Sequence, residues 1–302
     1  MTSMYEYIES FIPGEQILFH EPMSKHTTFR VGGEAACMIY VQTEEEIRKL
    51  VSYLNQIEED YFMLGNGSNT LVGDKGYRGI IIKFGKQMEE IQVDGERMTI
   101  KAGALLPKVA VTAKEHGLTG LEFAAGIPGS IGGAIVMNAG AYDGEMKQIV
   151  ESVRIIDRNG EILTLDNDAM EFGYRTSVVK DRPYIVLEVV LRLQPGDKEA
   201  IGARMEELAA LRKSKQPLEY PSAGSTFKRP EGYYAGKLIM DAGMRGYRIG
   251  GAQVSDKHCG FIVNVNKATA ADIKEVIEEV QERVKKRFHV SLEPEVILLG
   301  DF

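Results

Sequence analysis

Phe123–Tyr142 reads FAAGIPGSIGGAIVMNAGAY, and glycines at 126, 129, 132, 133 and 140 leave it little side chain from which to build a core. Backbone of this kind lets N–H groups turn toward a ligand and lets the ligand approach closely. A second loop of the same character, Gly65-Asn66-Gly67-Ser68-Asn69, follows the apolar run Tyr61–Leu64. Either loop alone reads as a tight turn or a packing contact. The pair points to a large phosphorylated ligand gripped from two sides.

The glycine spacing excludes two common phosphate sites. No G-x-x-x-x-G-K-[ST] occurs, so a P-loop is absent. Gly65-Asn66-Gly67 meets Thr70 where the dinucleotide fingerprint requires its third glycine. What remains is a ligand held by loops of a mixed sheet.

At 302 residues the chain is long enough for two or three domains. A hydrophobic content of 44% and a charged content of 26% belong to an ordinary globular protein. The net charge of −8 gives no basic footprint for nucleic acid. Binding an anionic ligand therefore requires Lys and Arg concentrated locally. The start, MTSMYEYIESFIPGEQ, has no basic segment followed by an apolar run, so no signal peptide is expected. No stretch reaches the ~18 apolar residues of a membrane span, and a cytoplasmic location is expected. Cys37 and Cys259 are then reduced, each a small buried apolar residue rather than a nucleophile. No C-x-x-C or paired-His spacing supports a metal.

The pattern of elements is α+β. Cys37–Gln42 reads as a strand. Thr43 caps a helix with Glu46 completing a capping box, and Ile47, Leu50, Val51 and Leu54 form its apolar stripe. Tyr61–Leu64 reads as a short buried strand and Gly79–Phe84 as another. Arg97–Ala102 is a strand by alternation, followed by a helix with Pro107 at its first position and Gly117 at its end. Val150–Asp157 and Glu161–Leu165 flank Asn159-Gly160 as a hairpin, and Ile185–Leu193 is a long strand. Asp197–Lys215 is a helix with Ile201, Met205, Leu208 and Leu211 on one side. Tyr234–Ala242 is helical and Gly260–Val265 a strand. Thr269 and Asp272 open an amphipathic helix to Phe288, lined by Ile273, Val276, Ile277, Val280 and Val284. Glu295–Leu299 is the last strand. His26 reads as structural and His116 as solvent-facing. The expected divisions are residues 1–85, 86–196 and 197–302.

Several segments, in order along the chain, carry a resemblance: HTTFRVGG (26–33), GNGSN (65–69), AAGIPGSIGGAIVMNAGAY (124–142), YRTS (174–177), PSAGSTFKRP (221–230), GGAQVSDKHCGFIVN (250–264) and LEPEV (292–296). Together they resemble the UDP-N-acetylenolpyruvoylglucosamine reductase family, in its shorter, second type. The resemblance implies a vanillyl-alcohol-oxidase-type FAD-binding fold: two FAD-binding subdomains, 1–85 and 86–196, and a separate α+β substrate domain, 197–302, whose last strand returns to the active site. It implies non-covalent FAD, NADPH as reductant, and reduction of an enolpyruvyl ether of a UDP-sugar for peptidoglycan synthesis. It leaves the oligomeric state open, a monomer included.

By motif, the family's catalytic groups fall on Arg175, Ser225 and Glu295. An arginine fork aimed at charge developing on the substrate carboxylate lowers the barrier. A positioned hydroxyl supplies the proton, and Lys228 and Arg229 are its nearest cations in sequence. A protonated Glu295 stabilises the enol form. FAD contacts are expected at Gly65, Asn66, Gly67, Ser68, Asn69, Ala125, Gly126, Ile127, Pro128, Gly129, Ser130, Gly132, Gly133 and Ala134. Tyr142, Lys213 and Arg229 are expected to meet the UDP-sugar, Arg212 and Lys215 being neighbours. Read alone, Arg175 is a surface ion-pair partner, Ser225 a turn residue and Glu295 a solvated strand start; the shared register of the motifs raises them above those readings. Two alternatives stay open at this point: a flavin oxidase of the same fold, and a nucleotide-binding module without catalysis.

Overall fold

The computed structural model describes residues 4–302, so Met1–Ser3 lie outside the described residues. The chain divides into two compact units. The first comprises Met1–Phe19, Cys37–Asn66 and Gly79–Leu211; the second comprises His20–Ala36, Gly67–Arg78 and Arg212–Phe302. No helix among the described residues is long and apolar enough to cross a membrane.

The first unit holds two cores. One is built around a four-stranded sheet in the order Ile17–Pro22, Glu34–Val41, Tyr77–Phe84, Tyr61–Met63, the last pair parallel. The β-branched run Ile80-Ile81-Ile82 suits a strand buried on both faces. The helix Glu44–Gln56 buries Ile47, Leu50, Val51 and Leu54 in the cluster that holds Ile39, Val41, Ile80 and Ile82. Each such side chain contributes ~1.5–3 kcal/mol by leaving water. Thr43 caps this helix by accepting from the Glu46 N–H, but the capping box is half made. The Glu46 carboxylate accepts from the Gln42 N–H and the Gln16 side chain instead of reaching back to Thr43. Tyr61–Met63 is half-buried rather than buried, because it is the sheet's edge.

The other core lies on a five-stranded antiparallel sheet: Ile162–Asp166, Val150–Ile156, Ile185–Arg192, Arg97–Lys101, Ile91–Asp94. The helices Leu106–Glu115 and Ile131–Val136 pack their apolar residues into its cluster. Leu106 is the first helical residue and Pro107 the second, where the missing N–H is equally harmless. Gly117, at φ +68°, ends that helix, and His116 beside it is exposed. Asn159-Gly160 turns the hairpin within a loop closed by Asp157, whose backbone pairs with Glu161.

The second unit centres on the antiparallel strands Arg248–Ile249, Ala252–Val254 and Ile262–Asn264, packed against the helix Ala270–Phe288. That helix starts on a complete capping box, Thr269 with Asp272, and buries Ile273, Val276, Ile277, Val280 and Val284. The Asp74 carboxylate accepts from the N–H groups of Ala270 and Ala271 at 2.8 and 2.9 Å, as the helix dipole favours. Ile297–Leu299 pairs in parallel with Thr70–Val72, a strand the sequence pattern does not signal. The last strand begins at Ile297 rather than Glu295, because the Glu295 N–H is spent on the Thr226 carbonyl. In the helix Lys198–Lys215, Ile201 and Leu208 are buried, whereas Met205 and Leu211 are only half-buried.

Candidate active site

In the first unit the chain leaves Tyr61–Met63 through Leu64, whose N–H donates to Ile82 O at 2.9 Å. Gly65 then lies against Ser130: a Cβ at Gly65 would come within 2.7 Å of Ser130 Oγ. The Asn66 side chain donates to Pro128 O at 2.7 Å. The two glycine-rich loops therefore meet, with Gly65–Asn66 laid on Pro128–Ser130. Gly129 O accepts from Leu106 N, and Ile131 N and Gly132 N donate to Ala104 O and Ala102 O. Ser130 Oγ caps the helix Ile131–Val136 by accepting from Gly133 N at 3.3 Å. Side-chain-free backbone held this firmly fits a large phosphorylated cofactor: the walls are close because no Cβ separates them.

The Arg175 turn is fastened to the end of the same glycine stretch. Gly173 and Thr176 close it by backbone bonds of 3.1 and 3.4 Å. Asn138, 1% exposed, donates to Gly173 O at 3.0 Å and to Glu145 at 3.1 Å, and accepts from Lys147 N at 2.9 Å. Ser177 Oγ donates to Val136 O. Arg175 Nη2 donates to Gly140 O at 3.3 Å, and its guanidinium stands 5.3 Å from the Tyr174 ring. Arg175 at φ +56° and Tyr142 at φ +51° both occupy the left-handed region, which side chains other than glycine rarely adopt. Tyr142 and Asp143 are the two residues of the turn between Gly140–Ala141 and Gly144–Glu145. Strain of this kind persists where the surroundings impose it, often at functional sites.

In the second unit, Gly224 at φ +75° turns the chain so that Ser225 is exposed while Thr226 is fully buried. Thr226 N donates to Gly260 O at 2.8 Å, and its hydroxyl accepts from Ile262 N at 3.1 Å. Its carbonyl accepts from Glu295 N at 2.8 Å. Asn69, the last residue of the first glycine loop, donates to Glu295 O at 3.0 Å and accepts from Ile297 N at 2.9 Å. Thr226, which follows Ser225, is thus joined to Glu295, and Glu295 to Asn69. Gly67, φ +61°, is pressed against His26: a Cβ there would lie 1.9 Å from the His26 carbonyl oxygen. His26 itself bonds Glu21 at 3.0 Å, and that bond holds the Glu21 carboxyl below its ordinary pKa.

Of the cations near Ser225 in sequence, Lys228 pairs with Glu293. Arg229 lies 4.0 Å from the Tyr234 ring and donates to Tyr233 O. Lys213 is exposed at the end of its helix, its carbonyl accepting from Lys257 Nζ at 2.7 Å. Both cysteines are buried; burial pushes the Cys37 thiol up to about 12 and raises that of Cys259. Neither is a thiolate near neutrality. Asn138 and Thr226 escape a reading of the sequence, although a lone Asn inside GAIVMNAGAY is a polar side chain that a buried stretch must satisfy.

Residues 35–166 match the family described as FAD binding domain, and residues 216–299 match UDP-N-acetylenolpyruvoylglucosamine reductase, C-terminal domain. The chain is 47% identical over 298 residues to a protein of Caldanaerobacter subterraneus subsp. tengcongensis, covering 99% of this chain and 98% of the relative. It is 51% identical to one of Agathobacter rectalis, covering 96% of each. Both relatives are named UDP-N-acetylenolpyruvoylglucosamine reductase. Among solved structures, the UDP-N-acetylenolpyruvylglucosamine reductase of Thermus caldophilus superposes with a TM-score of 0.81 at 36% identity, over 94% of this chain and 98% of that one. The chain belongs to the UDP-N-acetylenolpyruvoylglucosamine reductase family.

Proposed function

We propose that Arg175, Ser225 and Glu295 carry the chemistry of this chain's reaction. That reaction is the NADPH-dependent reduction of the enolpyruvyl ether of UDP-N-acetylglucosamine to UDP-N-acetylmuramate, a step toward peptidoglycan. When bound to this chain, without a covalent link in this reading, FAD would supply hydride chemistry with NADPH as the reductant. The observation that supports the assignment is the 2.8 Å bond from Glu295 N–H to the carbonyl of Thr226, the residue that follows Ser225.

Each residue has a distinct task. Reduction of the double bond sends negative charge into the adjoining carboxylate, and the always-charged fork of Arg175 meets it. Because Arg175 is fastened through Gly140, its guanidinium is oriented before substrate arrives. Ser225 donates the proton that completes the product; its exposed hydroxyl on a strained-free glycine turn is open to substrate. Glu295, half-buried, stabilises the enol form when it carries a proton. Gly65, Asn66, Gly67, Ser68, Asn69 and the backbone from Ala125 to Ala134 hold FAD. Tyr142, Lys213 and Arg229 bind the UDP-sugar, Lys213 and Arg229 by meeting the diphosphate charge.

In this reading residues 1–85 and 86–196 are the FAD-binding subdomains and 197–302 the substrate domain. The reductant and the UDP-sugar are the partners, and the cytoplasm is the site of action.

Stopped-flow absorbance on Ser225→Ala separates the two half-reactions. NADPH should still bleach the flavin at the wild-type rate, while reoxidation by the enolpyruvyl sugar nucleotide is lost. Both phases at wild-type rates would remove Ser225 from the mechanism.

A further inference from the structure

Neither Gly65–Asn69 nor Phe123–Tyr142 contains a lysine or an arginine. A diphosphate lying on this backbone finds N–H donors there, but its countercharge must come from another element. Lys83 supplies a cation at that place. It follows the buried run Ile80-Ile81-Ile82 in the strand Tyr77–Phe84, and its ammonium donates to Gly65 O at 3.0 Å. Burial lowers its pKa from the ordinary lysine value. Among the described residues, no carboxylate lies within ion-pair distance of Lys83. An ammonium has three donors, and one neutral carbonyl occupies only one of them. Taking such a group out of water is costly unless an anion or a full set of acceptors compensates. The carbonyl it touches belongs to the residue that lies on Ser130, where the two glycine loops meet.

We propose that Lys83 is a counter-cation of the FAD phosphates and a positioning residue for the first glycine loop. The proposal rests on the FAD-binding reading above. Without the cofactor, the half-buried ammonium is a charge with no anionic partner among the described residues, which weakens the fold. With it, the same charge is paired, and the carbonyl bond keeps Gly65 against Ser130.

The test removes FAD from wild-type protein and from Lys83→Met and Lys83→Arg. It then measures FAD and riboflavin binding by flavin fluorescence, and thermal melting of the FAD-free proteins. Lys83→Met should weaken FAD binding about tenfold or more, the loss of one charge-assisted contact. It should leave riboflavin, which has no phosphate, bound as in the wild type. The FAD-free Lys83→Met protein should melt higher than FAD-free wild type. Lys83→Arg, which keeps the charge, should retain FAD affinity more nearly. Equal weakening of FAD and riboflavin together with a lower melting temperature would make Lys83 only a brace for the loop. Unchanged FAD affinity in Lys83→Met would overturn the proposal, whereas wild-type protein that takes up no FAD would overturn the cofactor reading beneath it.

Discussion

Arg175 and Tyr142 share a backbone that an ordinary surface residue does not need: both sit at positive φ, on loops tied to the glycine stretch 123–142. For Arg175 the consequence is orientation. Arg175→Lys keeps the charge and loses the fork that two carboxylate oxygens match. The turnover number with the enolpyruvyl substrate should fall by roughly 10²–10³, the usual cost of losing a preorganised stabilising group. Flavin reduction by NADPH should be spared; a proportional fall in both half-reactions would mean that the substitution disturbs the cofactor site instead. For Tyr142 the proposed role is in binding the UDP-sugar. Tyr142→Phe and Tyr142→Ala should raise the KM for the UDP-sugar, and an unchanged KM in both would remove Tyr142 from the site. Lys228 behaves differently from its promise in the sequence: its pairing with Glu293 directs its charge to that carboxylate.

At the scale of elements, the helix Ala270–Phe288 shows what pattern alone reveals. Its cap and its apolar stripe are written in periodic residues, and both take the positions expected. Thr269→Ala should cost about 1 kcal/mol of unfolding free energy, read by denaturant titration. The first glycine loop is the opposite case. Its length and composition announce a ligand loop, but its packing against His26 and its link from Asn69 to Glu295 join residues remote in sequence. Gly67→Ala combines positive φ with a Cβ placed 1.9 Å from a carbonyl oxygen. Backbone must move, so this variant should lose several kcal/mol of stability or its cofactor, measured by melting and by flavin content. The candidate site residues were reached through ordered motifs, not through individual chemistry: Ser225 alone is a turn serine. Lys83 left no motif, since a lysine ending an apolar strand looks like any strand end. The pairing of Ile297–Leu299 with Thr70–Val72 was hidden because parallel partners far apart leave no local signal.

At the scale of the whole molecule, the first unit ties its two cores with an ion network. Glu44, on the helix Glu44–Gln56, pairs with Lys101 and Arg154 of the five-stranded sheet, and both cations also reach Glu188. Burial pushes the Glu44 carboxyl up, yet the hydrogen bonds from Arg154 and Lys101 outweigh it and the pKa falls below the ordinary value. A depressed carboxyl contributes stability above its unfolded pKa, and that contribution is lost as pH falls through the folded value. Glu44→Gln should therefore lower the melting temperature at neutral pH, and the difference should shrink on acidification below about pH 4. A difference independent of pH would make the contact one of shape rather than charge.

The most direct measurement of the central claim is an anaerobic absorbance spectrum of the purified protein, followed by NADPH and then by the enolpyruvyl sugar nucleotide. A yellow protein that NADPH bleaches, and whose colour one equivalent of the sugar nucleotide restores without oxygen, is the predicted result. A reduced flavin that stays bleached with the sugar nucleotide and regains colour only when air is admitted would contradict the account.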